Sequence, residues 1–490
     1  MKPFTLPSSK LHFKSSALLV LALVLIIALR LFWMSNFPLM DTTEARYGEL
    51  ARVTATGNFW LMPHMTPTVP FFAKPPLSTW LAAASWLTLG QNELALRLPS
   101  LMMMLLACLA ILYGASSYQL SRQQWLLVCF VMMTAPIGFV SAGAVMTDAT
   151  QLAVLTWAMV FLWRIFQVES SQDSNTLIFD QLAFDQIGFW FTLGLGAIAK
   201  GLATWALIGI PVILFWLFTP KDIVLQQFKK LISWLGIAIF VGVVLAWYVP
   251  AEIYYPGFLK YFIVGEHFQR FLVPGWKGDM YGTAHREAIG MIWLYWVMSV
   301  SVWLPIFIVK LYADKPFLNK NISAEKRWLW AWTLAPLIFF TFSRNIIWTY
   351  TLTALPAFAI LVATSWPSLS ARFKKGMQIL IAAWLILMLV ASFTWMPKMA
   401  EARSAHKLVT EAQLKYPSLP LYSYGSQEFS VSYYTQGQVI VLENAEMLTK
   451  ALNVPNHLII LSTKHAKQIA LSGQGSVLSV NAAHALLITK

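Results

Sequence analysis

Acidic residues are scarce in this chain: 21 of 490, the first of them Asp41. Charged residues of both signs reach only 11%, against roughly 25% in soluble domains, too few to clothe a water-exposed surface. Cysteine is nearly absent. Cys108 and Cys129 both fall in apolar runs, which excludes a disulfide framework and a thiolate metal site and leaves two small buried hydrophobes. No glycine fingerprint for a nucleotide phosphate occurs, and Gly473-Gln474-Gly475 reads as a turn. There is no internal repeat and no low-complexity tract.

What the chain has is hydrophobicity: 58% apolar residues and a mean hydropathy of +0.62. Such a chain reads as a polytopic membrane protein whose surroundings are lipids. Its net charge of +14 does not call for nucleic acid, because lysine and arginine gather in short loops between apolar runs, as the positive-inside bias requires. The first apolar run is long and lacks a small-residue cleavage site after it, so it reads as an anchor.

A helix needs about 20 residues to cross the hydrocarbon, with roughly 17 as a lower limit. The apolar runs give about eleven spans by that measure: 16–36, 97–119, 124–142, 148–166, 186–200, 202–219, 231–250, 287–311, 326–342, 346–365 and 376–396. The run 186–200 is short and is retained as a helix ending inside the bundle. Leu77–Leu89 is too short to cross and reads as an interfacial helix. With Lys2, Lys10 and Lys14 inside, Arg122, Arg164, Lys221, Lys229, Lys230, Lys310, Lys315, Lys320, Arg372, Lys374 and Lys375 all fall on the cytoplasmic side. The loops 37–96 and 251–286, and everything after residue 396, then fall outside. Arg30, near the outer end of the first span, is expected to snorkel to the interface.

From Pro397 the composition turns polar and alternating. Leu419–Tyr424, Gln438–Leu442, His457–Ser462 and Ser476–Val480 read as strands, with helical stretches at Ala445–Leu452 and Lys464–Leu471. The fold class is therefore mainly α: a membrane domain over 1–396 and a small external α/β domain over 397–490.

Two lone carboxylates, Asp41 and Asp148, fall at membrane boundaries on the same external side, and Glu44 follows Asp41 by three residues. That spacing also suits a capping box, with Arg46–Glu49 and Glu49–Arg52 as surface pairs, and Asp148 suits a cap on the fourth span. Convergence favours a functional reading. Arg46, Lys74, Lys200, Lys260, Arg270, Lys277 and Arg344 are all external. Lys200 lies between two apolar runs, where an unpaired charge is costly. A carboxylate can take a proton from an attacking group, and cations can hold a departing phosphate. His64, His267 and His285, with Glu266 beside His267, are potential ligands of a divalent metal such as zinc, although their spacing matches no motif and ordinary hydrogen-bonded histidines fit as well. External aromatics such as Trp60, Tyr254, Tyr255 and Trp276 read either as sugar-stacking groups or as belt residues.

Ordered short motifs carry a resemblance. Thr43-Glu44-Ala45-Arg46-Tyr47, Trp60-Leu61-Met62-Pro63-His64, Lys74-Pro75-Pro76-Leu77 and Asn92-Glu93-Leu94-Ala95-Leu96-Arg97-Leu98-Pro99-Ser100 come first. Thr147-Asp148, Ala199-Lys200-Gly201 and Pro256-Gly257-Phe258-Leu259-Lys260-Tyr261-Phe262 follow, then Glu266-His267 and Arg270-Phe271. Together, over about residues 15–365, they resemble ArnT-like and protein O-mannosyltransferase-like glycosyltransferases, which have the GT-C fold and use polyprenyl-phosphate sugars. The resemblance implies that Asp41, Glu44 and Asp148 are catalytic and flank the reacting sugar carbon. It implies that Arg46, Tyr47, Lys74 and Lys200 line the site that holds the carrier phosphate and donor; Glu266, Arg270 and Arg344, on the same external side, are further substrate-binding candidates. Two departures stand out: Thr43 where many relatives carry Asp, which leaves Asp41 and Glu44 as alternative bases, and Ala73 where ArnT enzymes tend to carry Glu, which leaves a metal set using that Glu incomplete.

The function implied is a bacterial inner-membrane glycosyltransferase. It would move a sugar, of the type of 4-amino-4-deoxy-L-arabinose, from an undecaprenyl-phosphate donor to lipid A or lipopolysaccharide on the periplasmic face. The alternatives are a protein O-glycosyltransferase acting on exported proteins, a transporter or flippase for a lipid-linked sugar, and a non-catalytic assembly or sensor protein. The absence of a repeat and the concentration of charge at one interface disfavour the transporter.

Overall fold

Apolar helices have opposite fates in this bundle, and the more apolar ones face outward. Asp148–Gln167 is 94% buried over its apolar window, packed by Glu93–Tyr113, Thr176–Lys200 and Leu202–Trp216. The helices Lys10–Asn36, Trp234–Tyr254 and Ala371–Thr394 are only 17% buried over theirs and present Leu, Ile, Val and Phe outward. A helix apolar all round is stable in either place when its exposed side meets lipid. The computed structural model describes residues 10–168, 176–282, 285–316, 318–319, 321–425 and 428–490; Lys2 and Lys320, assigned above to the cytoplasmic side, lie outside them.

The chain is a multi-pass, mainly helical membrane protein. Among the described residues 7 helices are long and apolar enough to cross a bilayer, or 8 if Met291–Ser299 and Leu304–Asp314 count as one. The expected count of about eleven is thus not reproduced by length and composition, and the reasons are local. The run 124–142 divides into Arg122–Thr134 and Pro136–Ser141, because Pro136 has no N–H to continue the ladder. The run 287–311 bends by 117° across a 3-10 turn at Ser301–Trp303, just ahead of Pro305. Leu202–Trp216 is only 15 residues long, and Ala324–Thr341 carries Glu325, Lys326 and Arg327 in its first turn.

The short run 186–200 is corrected in the other direction. Its helix begins at Thr176, and Asp185, which interrupts the apolar pattern, is held by Arg164 at 3.0 Å and by the Tyr113 hydroxyl at 2.6 Å. Arg30 does not snorkel. It is 6% exposed, donates to the Val140 carbonyl at 2.9 Å, and lies against the faces of Trp33 and Phe139.

Loop 37–96 folds into a helix Thr43–Thr56, a hairpin of His64–Thr66 with Val69–Pro70, and the short helix Leu77–Leu89. Tyr47, Leu50, Phe71, Ala83 and Trp86 form its own small core, which Tyr433 from the C-terminal region joins.

The C-terminal sheet has five strands in the spatial order 440–442, 421–424, 458–462, 484–489, 475–480. The first three are parallel, and His484–Thr489 runs antiparallel to both its neighbours. Leu458, Ile460 and Leu486 face the helix His406–Lys415, while Ile459, Leu461 and Leu487 face Ala445–Leu452 and Thr463–Leu471.

Candidate active site

Asp148 is the first residue of its helix and Lys200 the last of the neighbouring one, so the antiparallel pairing of the two helices brings them together. Lys200 Nζ donates to Asp148 Oδ1 at 2.8 Å, with both side chains less than a tenth exposed. Lys200 Nζ also lies 5.2 Å from the ring centre of Tyr350. The turn after Lys200 requires glycine. Gly201 has φ +74°, and a Cβ there would come within 2.6 Å of Phe262 and 2.9 Å of His267.

A second cluster grows around Glu266, which the π-helix Lys260–Gln269 carries. Glu266 accepts from Lys74 Nζ at 2.7 Å, from Arg270 Nη1 at 3.0 and 3.1 Å, and from the Tyr261 hydroxyl at 3.3 Å. Arg270 also reaches Asp279 at 3.1 Å. Burial works against the charge on Glu266, but Lys74 and Arg270 outweigh it and hold the carboxyl below its usual range. Burial likewise lowers Lys74 despite Glu266, and Arg270 and Lys200 push it the same way.

The two clusters are one neighbourhood. Tyr47 is raised mainly by burial and feels Arg46, Asp148, Lys200 and Glu266 together. His285 is lowered by burial and then by both Arg270 and Arg46. The structure therefore brings together Arg46, Tyr47, Lys74, Asp148, Lys200, Glu266 and Arg270 of the residues singled out in the sequence. Arg46 does not pair with Glu49. It donates to the Tyr281 carbonyl at 3.0 Å and lies over the Tyr47 ring at 5.4 Å. Its Nε is buried without a hydrogen-bond partner among the described residues, and so is the Nε of Arg344. Arg344 borders this region through the pairing of Arg286 with Asn345 and the bond from Glu287 N to its carbonyl.

Asp41 and Glu44, the alternative bases offered by the sequence, are each engaged by other side chains. Both Glu44 oxygens accept from Arg97 at 2.8 Å, and more weakly from Val145 N and Met40 N at 3.4 Å. Burial opposes its charge, and Arg97 overcomes that. Asp41 accepts from Ser430 N at 2.9 Å and from the Ser430 hydroxyl. Burial pushes Asp41 up to about 7, against the Ser430 donors and with help from Glu428. No capping box forms, because Thr42 is the N-cap and makes no side-chain bond. Glu49 and Arg52 do pair, through two bonds of 2.7 Å.

The histidines do not converge. His64 Nδ1 lies 2.7 Å from the Met62 carbonyl and its ring stacks on Phe59; His267 Nδ1 lies 2.8 Å from the Phe262 carbonyl. No group of three His, Cys, Asp or Glu side chains is placed to hold a metal among the described residues. Sequence reasoning missed Asp279, Tyr261, Tyr281 and Tyr350. Asp279 and Tyr281 sit in an irregular loop without periodicity, and Tyr350 lies in a hydrophobic run where an aromatic residue reads as packing.

No family model matches the chain. In sequence it is 26% identical over 331 residues to the undecaprenyl phosphate-alpha-4-amino-4-deoxy-L-arabinose arabinosyl transferase of Aeromonas hydrophila, covering 67% of this chain and 56% of that one. It is 23% identical over 380 residues to the protein of the same name from Pectobacterium atrosepticum, covering 77% and 63%. In structure it superposes on ArnT from Cupriavidus metallidurans, solved bound to undecaprenyl phosphate, with a TM-score of 0.77, 17% identity and coverage of 96% of this chain and 98% of that one. The fold is that of ArnT. The archaeal oligosaccharyltransferase AglB from Archaeoglobus fulgidus, in complex with an inhibitory peptide and a dolichol-phosphate, is a more distant likeness, at TM-score 0.51 and 12% identity over 93% of this chain and 70% of that one. The ArnT-like architecture is thus of the GT-C class. The chain spans little more than half the length of the Aeromonas relative it matches.

Proposed function

We propose that this chain is an integral membrane glycosyltransferase that moves a sugar from an undecaprenyl-phosphate donor to lipid A or lipopolysaccharide at the periplasmic face of the bacterial inner membrane. The observation that carries the reading is the gathering of Lys74, Lys200, Arg270 and Arg46 around Asp148 and Glu266 at one end of the bundle. Its relatives in sequence are named for transfer of 4-amino-4-deoxy-L-arabinose from undecaprenyl phosphate, and an aminopentose of that kind is the sugar we assign. The same reading puts the N-terminus in the cytoplasm and divides the chain into a membrane domain over 1–396, with loops 37–96 and 251–286 outside, and a periplasmic domain over 397–490.

In this reading the acceptor attacks the anomeric carbon, the bond from that carbon to the phosphate oxygen breaks, and the polyprenyl phosphate leaves with its charge increased. Lys74, Lys200 and Arg270 neutralise that charge. Arg46 and Arg344, each with an idle Nε, supply the geometry of a planar fork for the phosphate oxygens. Asp148 gives one oxygen to Lys200 and keeps the other for the acceptor's proton. Incubation of the purified chain with a polyprenyl-phosphate aminosugar and lipid A tests this. Free polyprenyl phosphate and a matching mass increase on lipid A are expected; an unchanged donor would remove the transferase reading, and donor movement between leaflets without cleavage would favour a flippase.

A further inference from the structure

The C-terminal region does more than sit beside the membrane domain. Its short helix Phe429–Tyr434 and the turn that follows meet the first loop at three places. The Asp41 carboxylate accepts both the N–H and the hydroxyl of Ser430. The Tyr434 hydroxyl accepts from Leu39 N at 2.7 Å and donates to Glu93 Oε1 at 2.8 Å. Arg52, held by Glu49, donates to the Gln436 carbonyl at 3.1 Å. Tyr433 is 7% exposed and completes the loop's apolar core.

From Asp41 these contacts lead toward the site. Met40 N donates to Glu44, Glu44 is clamped by Arg97, and Glu44 Oε1 takes the N–H of Val145, just ahead of Asp148. Arg97 also donates to the carbonyls of Met34, Phe37 and Pro38, fixing the chain where it leaves the first span. Each of these polar groups is buried or half-buried and has a partner, so the arrangement holds one geometry.

We propose that Asp41 is a positioning residue, not the base: with Ser430 it latches the C-terminal region onto the first loop, and the latch sets the placement of Arg46, Tyr47 and Asp148. This rests on the transferase reading for its consequence, though the latch itself does not. The local chemistry supports it. Ser430 supplies two donors to Asp41, and its hydroxyl oxygen also accepts from Ala405 N at 2.9 Å. An asparagine at position 41 keeps an acceptor for Ser430 N and can donate to the Ser430 hydroxyl, whereas it cannot accept a substrate proton.

The experiment uses the full chain with the substitutions Asp41→Asn and Asp41→Ala, and two readouts: donor turnover, and hydrogen exchange over Leu39–Thr56. The expected result is turnover for Asp41→Asn within about threefold of the unaltered chain, and a loss of about tenfold or more in kcat/KM for Asp41→Ala, with the donor KM raised because Arg46 is no longer held in place, the scale of a lost hydrogen bond to a charged group. Exchange should quicken in Asp41→Ala and not in Asp41→Asn. If Asp41→Ala does not fold, Ser430→Ala, which removes one donor, takes its place with the same readouts. A folded Asp41→Asn as inactive as Asp41→Ala would overturn the proposal, and so would an alanine variant unchanged in both turnover and exchange. An unaltered chain that cleaves no donor would defeat the transferase reading alone, since the exchange measurement still judges the latch.

Discussion

Lys200 Nζ sits 2.8 Å from Asp148 Oδ1 at the meeting of two helix ends, inside the packed bundle. A pair so placed is costly to break from one side. Removing one charge leaves the other buried without compensation, at about 3–5 kcal/mol.

Lys200→Met should therefore lower the thermal transition by an amount matching that cost and abolish donor cleavage. The double variant Lys200→Met with Asp148→Asn should regain much of the stability and none of the activity. Calorimetry in detergent together with release of polyprenyl phosphate would check both halves. Equal stability of the single and double variants would contradict the pairing.

Gly201→Ala should damage the same corner by a different route. The backbone there, at φ +74° and ψ −149°, is a region essentially reserved for glycine and costs an L-residue about 1–3 kcal/mol, and the added methyl meets Phe262 and His267. Reduced stability with a larger loss of turnover is expected, because the strain falls on the residue next to Lys200. Unchanged melting would show that the turn relaxes freely.

Arg46→Lys keeps a charge but loses the fork whose Nε has no partner among the described residues. Donor KM should rise about tenfold while kcat stays within about threefold. Steady-state kinetics at two ionic strengths would read this. A fall in kcat at constant KM would place Arg46 on the reacting centre instead.

Asp41 carries a pH signature. With its carboxyl raised from 3.8 to about 7, the folded chain keeps a proton that the unfolded chain has released between those values. Stability from this group is thus highest at about pH 4, declines as the pH rises to about 7, and then levels off. His484, 3.9 Å away, and Glu428 are the titratable neighbours. Asp41→Asn should flatten that decline, so the variant gains on the unaltered chain most at pH 8; parallel melting curves from pH 4 to 8 would refute it.

Much of the architecture was legible because its signals are local. Long apolar runs marked the spans, and the alternating stretches near 421, 440, 458 and 476 marked four strands. His484–Thr489 escaped because it is buried on both faces and its Ala-Leu-Leu-Ile run does not alternate. The broken helices at Pro136 and Pro305 escaped because hydropathy counts apolar residues and is blind to a missing N–H. The site was legible as a set of charges on one side, which parity could supply. Its pairings were not. Only the fold shows that Arg97 occupies Glu44, that Ser430 occupies Asp41, and that Asp279 stands beside Arg270.

The first and last membrane helices are stitched together by the indole of Trp33 on Ser392 at 2.6 Å and by the rings of Phe32 and Phe393 at 5.5 Å. They therefore leave the membrane side by side. The short helix Met396–Ala402, packed on Phe37, and a turn join Thr394 to the helix His406–Lys415, so the terminal α/β unit is held on a short connection at the corner where loop 37–96 begins. Its local concentration at that loop is high by construction, and weak individual contacts suffice to keep it docked. A copy of residues 397–490 supplied as a separate chain would lack that advantage.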